Sequence, residues 1–373
     1  MYKYKLGSIA CLLALCVAFG GCSDKKKSVS VDTNKKEWQS ETLDENVAAD
    51  FKAENIESAY SYKIEEKALS VKKIKQIFFP EDKSKENYKK ELWDEKNKEL
   101  GYVEYMTTEN GLDLFANYQG THGHTLERDF YTNIISQDEK IENFNNLWKY
   151  LGTEEDLPFM SKKDMEAKVR AQIKEMGLPY EVSNIYIRTM SSEYLNGLTE
   201  KYLKEHPDAG GEDFVDRNQL KTWKKNEGAY YVLVELSLDG VPINAKGRTC
   251  NSDAEITIDP AGIELMYNKN GCMYLECPYF EVLEKQEKSD ILSVSEAVEL
   301  LKANLTDVIL SEDTKYMINS GELCYAYVSG EEKTVNTKAS LKPVWMFNIR
   351  NSDSNGSLDR QYFVDAVTGK VME

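Results

Sequence analysis

The sequence predicts an α+β protein of two or three small modules, each an antiparallel sheet with helices packed on one face. Three observations support this fold class. An amphipathic helical pattern followed by strand-like segments occurs three times along the chain, short turn signals separate the strands, and no pattern indicates parallel crossovers. With 373 residues, of which 41% are hydrophobic, the chain has enough apolar material to form these cores.

The first 21 residues have the features of a signal peptide. Two lysines precede an apolar segment that ends in Gly20-Gly21, directly before Cys22. This pattern resembles a bacterial lipoprotein signal, which implies that Cys22 carries a lipid. We therefore expect residues 22–44, which are polar and lysine-rich, to form a tether that holds the protein at the outer face of the cell membrane.

The charge of the chain limits its partners. The formal net charge is −17, and it becomes −19 when Lys3 and Lys5 leave with the signal peptide. A strongly negative protein repels nucleic acid and anionic lipid surfaces. The sequence therefore predicts no nucleic-acid partner and an extracytoplasmic protein that contacts the membrane through its lipid.

The N-terminal module is predicted over residues 45–155. Its helix begins after Ser70 and stops before Pro80. A hairpin follows, with strands at 101–106 and 112–118 joined by Asn110-Gly111, a strong turn signal. The apolar face of the helix consists of Val71, Ile74, Ile77 and Phe78.

The middle module is predicted over residues 156–288. Its helix begins at Ser161, where Asp164 completes a capping-box-like arrangement, and ends at Gly177. A strand follows at 185–190, and residues 191–226 are an insertion with a helix of its own. The apolar stripe of the first helix consists of Met165, Val169, Ile173 and Met176, and that of the inserted helix of Tyr194, Leu195, Leu198 and Tyr202.

The C-terminal module is predicted over residues 289–373. Ser293 and Glu296 form a capping box at the start of its helix. Strands are expected at 316–318, 323–328 and 343–350. The predicted buried residues of the helix are Ala297, Leu300, Leu301 and Leu305.

Two similar turns indicate that the last two modules are copies of one fold. Asp259 followed by Gly262, and Asp365 followed by Gly369, each lie between two strand-like segments. In such a turn the Asp accepts hydrogen bonds from backbone amides and the Gly adopts positive φ. We therefore expect these four residues to have structural roles at equivalent turns.

The C-terminal module also resembles a known family. Pro343-Val344-Trp345, followed by the segment Tyr362 to Val371 and preceded by a Ser-Val-Ser-Glu-Ala helix, is similar to the PepSY-like modules of bacterial extracytoplasmic proteins. The similarity is greatest to the YycH/YycI type, which regulates a membrane sensor kinase from outside the cell. It covers residues 290–373, with 160–285 as a degenerate copy, and implies tandem PepSY-like domains. YycH/YycI proteins use a transmembrane anchor, whereas this chain resembles a lipoprotein of an uncharacterised clostridial type.

Four cysteines remain after the signal peptide and Cys22, namely Cys250, Cys272, Cys277 and Cys324. Cys250 and Cys272 lie nearly symmetrically about the turn at residues 259–262, so a hairpin there would allow a disulfide between them. The alternative is that all four are reduced and buried.

Few residues indicate chemistry. His122 and His124 are the only close histidine pair and are weak candidates for metal ligands, because a glycine-rich turn explains them equally well. The segment from Asn351 to Asp359 imitates a calcium loop but lacks its last glutamate, and a hairpin explains it better. No hydrolase, phosphate-binding or dinucleotide motif is present. We therefore predict no cofactor and no enzyme activity.

The function that follows is a non-catalytic surface lipoprotein that binds a protein or peptide partner and modulates a sensor or a protease. The alternative is a lipoprotein that binds a solute or a glycan. A deep pocket lined by the tyrosines between residues 102 and 131 would favour the alternative, and shallow sheets with open edges would favour the first function.

Overall fold

The structure is a computed structural model that describes most of the chain after residue 36. The described residues are 37–38, 41–43, 46–92, 101–117, 120–141, 147–152, 156–206, 222–246, 250–252, 256–307, 314–329, 338–353 and 356–372. The predicted signal peptide and Cys22 lie outside them. Among these residues, no helix is both long and apolar enough to cross a membrane.

The helices are short to medium in length. They are α1 (Val71–Phe78), α2 (Leu126–Ile135), α3 (Leu147–Tyr150), α4 (Lys162–Met176), α5 (Ser192–Glu205) and α6 (Val294–Asp307). The strands before α4 are β1 (Glu37–Trp38), β2 (Glu41–Thr42), β3 (Val47–Ala49), β4 (Ala53–Glu54), β5 (Ser58–Ala59), β6 (Tyr62–Lys67), β7 (Glu86–Leu92), β8 (Tyr102–Thr108), β9 (Leu112–Asn117) and β10 (Gly120–Thr125).

The strands after α4 include the longest ones. They are β11 (Glu181–Met190), β12 (Ala229–Leu238), β13 (Val241–Pro242), β14 (Cys250–Ser252), β15 (Ile256–Asp259), β16 (Ile263–Asn268), β17 (Gly271–Cys277), β18 (Tyr279–Lys285), β19 (Ser289–Asp290), β20 (Lys315–Ser329), β21 (Lys338–Asp353), β22 (Gly356–Asp365) and β23 (Val371–Met372). The protein is α+β, and its sheets are mostly antiparallel, as predicted.

Three units share one order of elements, a helix followed by a four-stranded antiparallel meander. The first is α1 with β7, β8, β9 and β10, the second is α4 with β11, β12, β16 and β17, and the third is α6 with β20, β21, β22 and β23. In the second unit, α5 and the strands β13 to β15 interrupt the meander. The repeated plan predicted from the sequence is therefore present in the order of the elements.

The first two units form a single nine-stranded sheet. Its order is β11-β12-β16-β17-β10-β9-β8-β7, with β13 beside β12. The order is symmetric about the antiparallel pair of β10 and β17, in which His122 is opposite Glu276. The predicted module boundary at residue 155 therefore does not coincide with the edge of a sheet.

The third unit belongs to a ten-stranded sheet that also contains N-terminal strands. β3 pairs with β20 in parallel, and β6 lies between β18 and β21, antiparallel to both. The described residues from 37 to 372 belong to one compact unit. The module boundaries stay a prediction from the sequence. Each of the two large sheets contains strands from more than one predicted module.

Helices cover both faces of the nine-stranded sheet, although the sequence predicted helices on one face. The main core contains α4 residues and the side chains of Tyr230 and Val232 on β12. A second core contains α2 and α5 residues and the side chains of Tyr231 and Leu233, which point to the other face. The inserted helix α5 thus packs on a surface that a one-sided sheet would expose.

The starts of α4 and α6 follow the predicted capping, whereas at α1 the side chain of Ser70, the predicted cap, makes no capping hydrogen bond. The Ser161 hydroxyl accepts a hydrogen bond from the Asp164 amide at 3.1 Å, and Gly177 ends α4 with a φ of 65°. At α6, the Ser293 amide donates to the Glu296 carboxylate and the Glu296 amide donates to the Ser293 hydroxyl. The prediction that Leu300 is buried is wrong, because it lies beside the buried stripe and is 39% exposed. Val298 is buried in α6 instead.

The two turns predicted to be equivalent are at different places in the fold. β15, which ends at Asp259, pairs with β20 in the ten-stranded sheet, whereas β16 lies in the nine-stranded sheet. The segment from Asp259 to Gly262 therefore passes between sheets, because the chain leaves the second meander after β13 and returns at β16. The turn that corresponds to Asp365–Gly369 in strand order is the one between β16 and β17.

Gly262 has a different role from the one predicted. Its φ is not positive; an added Cβ would lie 2.7 Å from the Ala245 Cβ and 2.8 Å from the Leu233 Cδ1, so close packing requires glycine here. In the last turn, the Asp365 carboxylate accepts hydrogen bonds from two backbone amides at 2.8 and 2.9 Å, and Gly369 has a φ of 75°.

Candidate functional site

A cleft of about 360 Å³ opens where the two halves of the nine-stranded sheet meet. Five segments form it: the end of α1, the β8–β9 turn, the start of α2, one side of α4 and the β16–β17 turn. The lining residues are Phe78, Phe79, Pro80, Glu81, Asp82, Asn110, Leu112, Thr125, Leu126, Glu127, Lys168, Gln172, Asn268, Asn270, Gly271 and Cys272. The cleft therefore contains contributions from both of the first two units.

Two hairpin turns shape the mouth of the cleft. Gly111 has a φ of 79° and Gly271 a φ of 126°, conformations that favour glycine. The side chain of Leu126 lies over the first turn, since a Cβ added to Gly111 would be 2.5 Å from the Leu126 Cδ1. A larger residue at Gly111 would displace the first residue of α2 from the rim.

One wall of the cleft is apolar. Phe78 and Phe79 at the end of α1 and Leu112 at the start of β9 are buried in the main core. Leu126 is 62% exposed at the rim. An apolar group that entered the cleft would cover this leucine and remove apolar surface from water, which is favourable at roughly 25 cal/mol per Å².

Lys168, on α4, also lines the cleft and has an unusual set of neighbours. Its ammonium is over the ring of Tyr267, 5.0 Å from the ring centre, and is half-buried. No carboxylate pairs with it in the part of the chain that the structure describes. Other half-buried lysines do have such partners; for example, Lys75 Nζ is 2.9 Å from Glu86 Oε1. The cleft thus contains a positive charge that is not neutralised locally.

A hydrogen-bonded chain fixes the floor beneath Lys168. The Tyr267 hydroxyl donates to Gln172 Oε1 at 2.7 Å, and Gln172 Nε2 donates to the Ile77 carbonyl at 2.9 Å. Burial raises the pKa of Tyr267 well above its ordinary value, so the hydroxyl remains a donor. The chain links β16, α4 and α1 and holds the two halves of the cleft in register.

Glu127, in the first turn of α2, presents a negative charge at another side. Its Oε2 accepts a hydrogen bond from Asn268 Nδ2 and its Oε1 accepts one from Asn270 Nδ2, both at 2.7 Å. Neutral amides therefore orient this carboxylate, and no lysine or arginine pairs with it among the described side chains. It retains acceptor capacity, because a carboxylate has about four lone-pair sites.

Asp82, by contrast, is occupied by structural bonds. Its Oδ1 accepts from the Ser84 amide at 2.9 Å and from the Ser84 hydroxyl, and its Oδ2 accepts from the Thr108 hydroxyl at 2.6 Å. Burial opposes the charge of Asp82, but the hydrogen bonds from Ser84 and Thr108 outweigh it and lower the pKa of this carboxyl. Asp82 holds the wall of the cleft together.

Three of the cysteines have side chains that the structure describes. Cys272, Cys277 and Cys324 have free, buried thiols. The predicted Cys250–Cys272 disulfide is therefore wrong: Cys250 is on β14 of the ten-stranded sheet, outside the residues whose side chains are described, and Cys272 is on β17 of the other sheet. Burial raises the pKa of the Cys272 thiol, which lines the cleft, to about 12 and keeps it protonated at neutral pH.

The two candidate histidines lie on the opposite face of the sheet from the cleft. His122 Nδ1 is 4.0 Å from Glu276 Oε1, and His124 Nε2 is 3.9 Å from Asp113 Oδ2. Within the described ranges, no three His, Cys, Asp or Glu residues are grouped as metal ligands would be. His122 instead continues an aromatic row, because its ring is 6.2 Å from that of Phe115, which is 5.2 Å from that of Tyr105.

The sequence patterns do not reveal the cleft. The tyrosines from Tyr102 to Tyr131 that the structure describes lie elsewhere: Tyr102 is 62% exposed, Tyr105 is in the aromatic row and Tyr131 is in the second core. Tyr118 is outside the described residues. One signal was available, since Gln172 is a polar residue on the apolar stripe of α4, between Val169 and Ile173. A buried polar residue at such a position needs a partner, here Tyr267.

The fold of this chain is similar to that of a crystal structure of an uncharacterized protein from Eubacterium rectale ATCC 33656. The two are 13% identical in sequence, and the match covers 91% of this chain and 96% of that chain with a TM-score of 0.63. No family model matches the chain, and no curated protein matches it. The similarity shows a shared fold with a bacterial protein of the Firmicutes.

Proposed function

We propose that this protein is a lipid-anchored extracytoplasmic binding protein whose cleft takes a peptide segment of a partner. The observation that carries the proposal is that the apolar side chains of Phe78, Phe79 and Leu112 line the same cleft as Lys168, whose ammonium has no carboxylate partner among the described residues. Ligand sites combine apolar walls with a few convergent polar groups in this way, in cavities of roughly 300–1,000 Å³.

The groups in the cleft support binding rather than catalysis. The Cys272 thiol is protonated, and the Asp82 carboxylate is saturated by Ser84 and Thr108. The amide side chains of Asn268 and Asn270 provide the donors and acceptors that a peptide backbone requires. A non-catalytic role is therefore the simplest use of this site.

The location and the regulatory role rest on the sequence. The apolar segment before Cys22 supports lipid attachment at the outer face of the membrane, and the resemblance of residues 290–373 to PepSY-like modules of the YycH/YycI type supports modulation of a membrane sensor or a protease. Replacement of Cys22 by Ala should abolish metabolic labelling with a fatty-acid analogue. Labelling that survived the replacement would contradict lipidation at this residue.

A second candidate function, glycan or solute binding, is favoured by the aromatic row on the other face of the sheet. The rings of Tyr105 and Phe115 are adjacent and partly exposed, and exposed aromatic rings can stack on sugars. This row and the cleft are on opposite faces, so variants can separate the two functions.

The decisive experiment measures the binding of short synthetic peptides and of oligosaccharides to the purified protein. Asn270→Trp places a bulky ring at the cleft and removes a bond to Glu127, whereas Lys269→Trp changes the same turn at a residue that does not line the cleft. We expect peptide binding that Asn270→Trp lowers at least tenfold and that Lys269→Trp leaves within twofold. Binding of oligosaccharides alone, lost in Phe115→Ala, would favour the second candidate.

A further inference from the structure

We infer that the cleft binds a zwitterion, a short peptide or amino acid with a free ammonium group, a free carboxylate and an apolar side chain. This inference rests on the proposed function and names the ligand class of the same site. Its basis is the presence of two opposite charges, those of Lys168 and Glu127, that line one cleft without pairing with each other.

The carboxylate of the ligand would bind at Lys168. The ring of Tyr267 attracts the ammonium of Lys168 and holds it at the wall of the cleft. A half-buried ammonium without an anion forgoes a charge-assisted hydrogen bond, which a ligand carboxylate would supply. The Tyr267 hydroxyl already donates to Gln172, which leaves the ammonium of Lys168 as the donor of this pair that can bind an anion.

The ammonium of the ligand would bind at Glu127. The two asparagine amides fix the direction of this carboxylate before a ligand arrives, which lowers the ordering cost of binding. They also leave lone pairs on both oxygens. Because no cation pairs with Glu127 in the described part of the chain, its charge is available in the same way as that of Lys168.

The charges of Lys168 and Glu127 do not pair with each other, which favours a ligand that has both a carboxylate and an ammonium. Had Lys168 and Glu127 been within 4.0 Å, they would neutralise each other and present a neutral surface to a ligand; no such ion pair is formed. The same cleft is lined by the apolar side chains of Phe79, Leu112 and Leu126. A ligand with charged ends and an apolar side chain would satisfy all three features together.

The test is isothermal titration calorimetry of the full mature chain with leucyl-leucine and its blocked forms. We expect acetyl-leucyl-leucine, which lacks the ammonium, and leucyl-leucine amide, which lacks the carboxylate, each to bind at least tenfold more weakly than leucyl-leucine. Glycyl-glycine should also bind more weakly, because it has no apolar side chain. Free leucine distinguishes an amino acid ligand from a peptide ligand. Binding of leucine that is tighter than that of leucyl-leucine would identify an amino acid site.

Two variants assign the charges to their residues. Lys168→Met should remove the preference for the free carboxylate and keep the preference for the free ammonium, and Glu127→Gln should do the reverse. Lys163→Met on the exposed side of α4 and Glu200→Gln on α5 are matched controls outside the cleft and should bind like the wild type. Circular dichroism melts confirm that each variant is folded before its binding is compared.

The outcomes separate this inference from the proposed function. If the blocked peptides bind as tightly as leucyl-leucine and Asn270→Trp abolishes their binding, the cleft binds peptides but the zwitterion inference is overturned. If no peptide binds, whether free or blocked, both are overturned. If the preferences for free termini are present but persist in Lys168→Met and Glu127→Gln, the assignment to these residues is wrong.

Discussion

The two halves of the nine-stranded sheet have the same order of elements but differ in burial. In the half formed by the second unit, β12 is buried along nearly its whole length. In the half formed by the first unit, the corresponding strand β8 is buried only at Val103 and Met106. The burial of a strand in this fold therefore depends on whether helices cover the second face of the sheet. The order of the strands, which both halves share, does not determine it.

The residue patterns explain the difference. β12 has apolar side chains at both odd and even positions, and α2 and α5 pack on the face that α4 does not cover. On β9, Leu112, Leu114 and Ala116 face the main core, whereas Asp113 and Phe115 on the other face are exposed or half-exposed. The first half is thus a one-sided sheet and the second a two-sided sheet.

The sharpest test of this difference replaces apolar residues on the second face in each half. Leu233→Ala on β12 should lower the free energy of unfolding by about 2–4 kcal/mol, because it leaves a cavity in the second core. Phe115→Ala should cost less than about 1 kcal/mol, because water already reaches this side chain. Urea denaturation measures both values, and equal losses would show that the face of β9 is also covered.

Close packing at Gly262 gives the next largest effect. Gly262→Ala should destabilise by about 1–3 kcal/mol, since its Cβ would meet the backbone of Ala245 at 3.3 Å as well as the two side-chain atoms. In the other half, Gly123→Ala would meet the tip of the Leu114 side chain, which can rotate, so we expect a smaller loss. Thermal melts of the two variants measure the losses. A larger fall in melting temperature for Gly123→Ala than for Gly262→Ala would contradict the closer packing of the second half.

The pH dependence should differ in sign between the halves. Glu264 on β16 is opposite Glu276 on β17, and burial followed by the charge of Glu276 raises the pKa of Glu264 to about 8 from 4.5. The folded state therefore keeps a proton that the unfolded state releases, and stability falls as pH rises from about 4.5 to 8. Glu264→Gln should remove this slope and raise the free energy of unfolding at pH 8 by roughly 1–3 kcal/mol.

The control for this experiment is Glu200→Gln, which should leave the slope of the melting temperature against pH unchanged. A wild-type protein whose stability is flat between pH 5 and 8 would contradict the raised pKa of Glu264.

Asp82, in the first half, should act in the opposite direction and more weakly. Its pKa is lowered in the folded state, so its contribution is present at neutral pH and is lost as pH falls through the folded pKa. Asp82→Asn should cost about 1 kcal/mol at pH 7, by weakening the bonds from Ser84 and Thr108, and little at pH 3. Melts at the two pH values measure the difference; an equal cost at both would mean that the charge of Asp82 does not contribute.

Local signals in the sequence predicted local structure well. Ser161 and Gly177 mark the limits of α4, and Asn110-Gly111 marks the hairpin of β8 and β9, because capping and positive φ depend on neighbouring residues. The apolar stripe of α1, from Val71 to Phe78, is also buried as predicted.

Long-range pairing could not be predicted in this way. Nothing near β6 indicates that it pairs with β18 and β21, more than 200 residues later, and nothing at Asp259 indicates that the chain changes sheets there. The cleft was missed for the same reason: Lys168, Glu127 and Asn268 come from three segments that only the tertiary fold brings together. Each of these residues is an ordinary surface residue in the sequence.

The position of β6 has a consequence for how the chain reaches its native state. Its partners are residues 279–285 and 338–341, so its hydrogen bonds cannot form until nearly the whole chain has been synthesised. Pairings between such distant segments raise the contact order and slow folding. Until they form, β6 presents free amides and the apolar side chains of Tyr62 and Ile64, which favour aggregation. We therefore expect refolding in seconds rather than milliseconds and a need for chaperones during biogenesis.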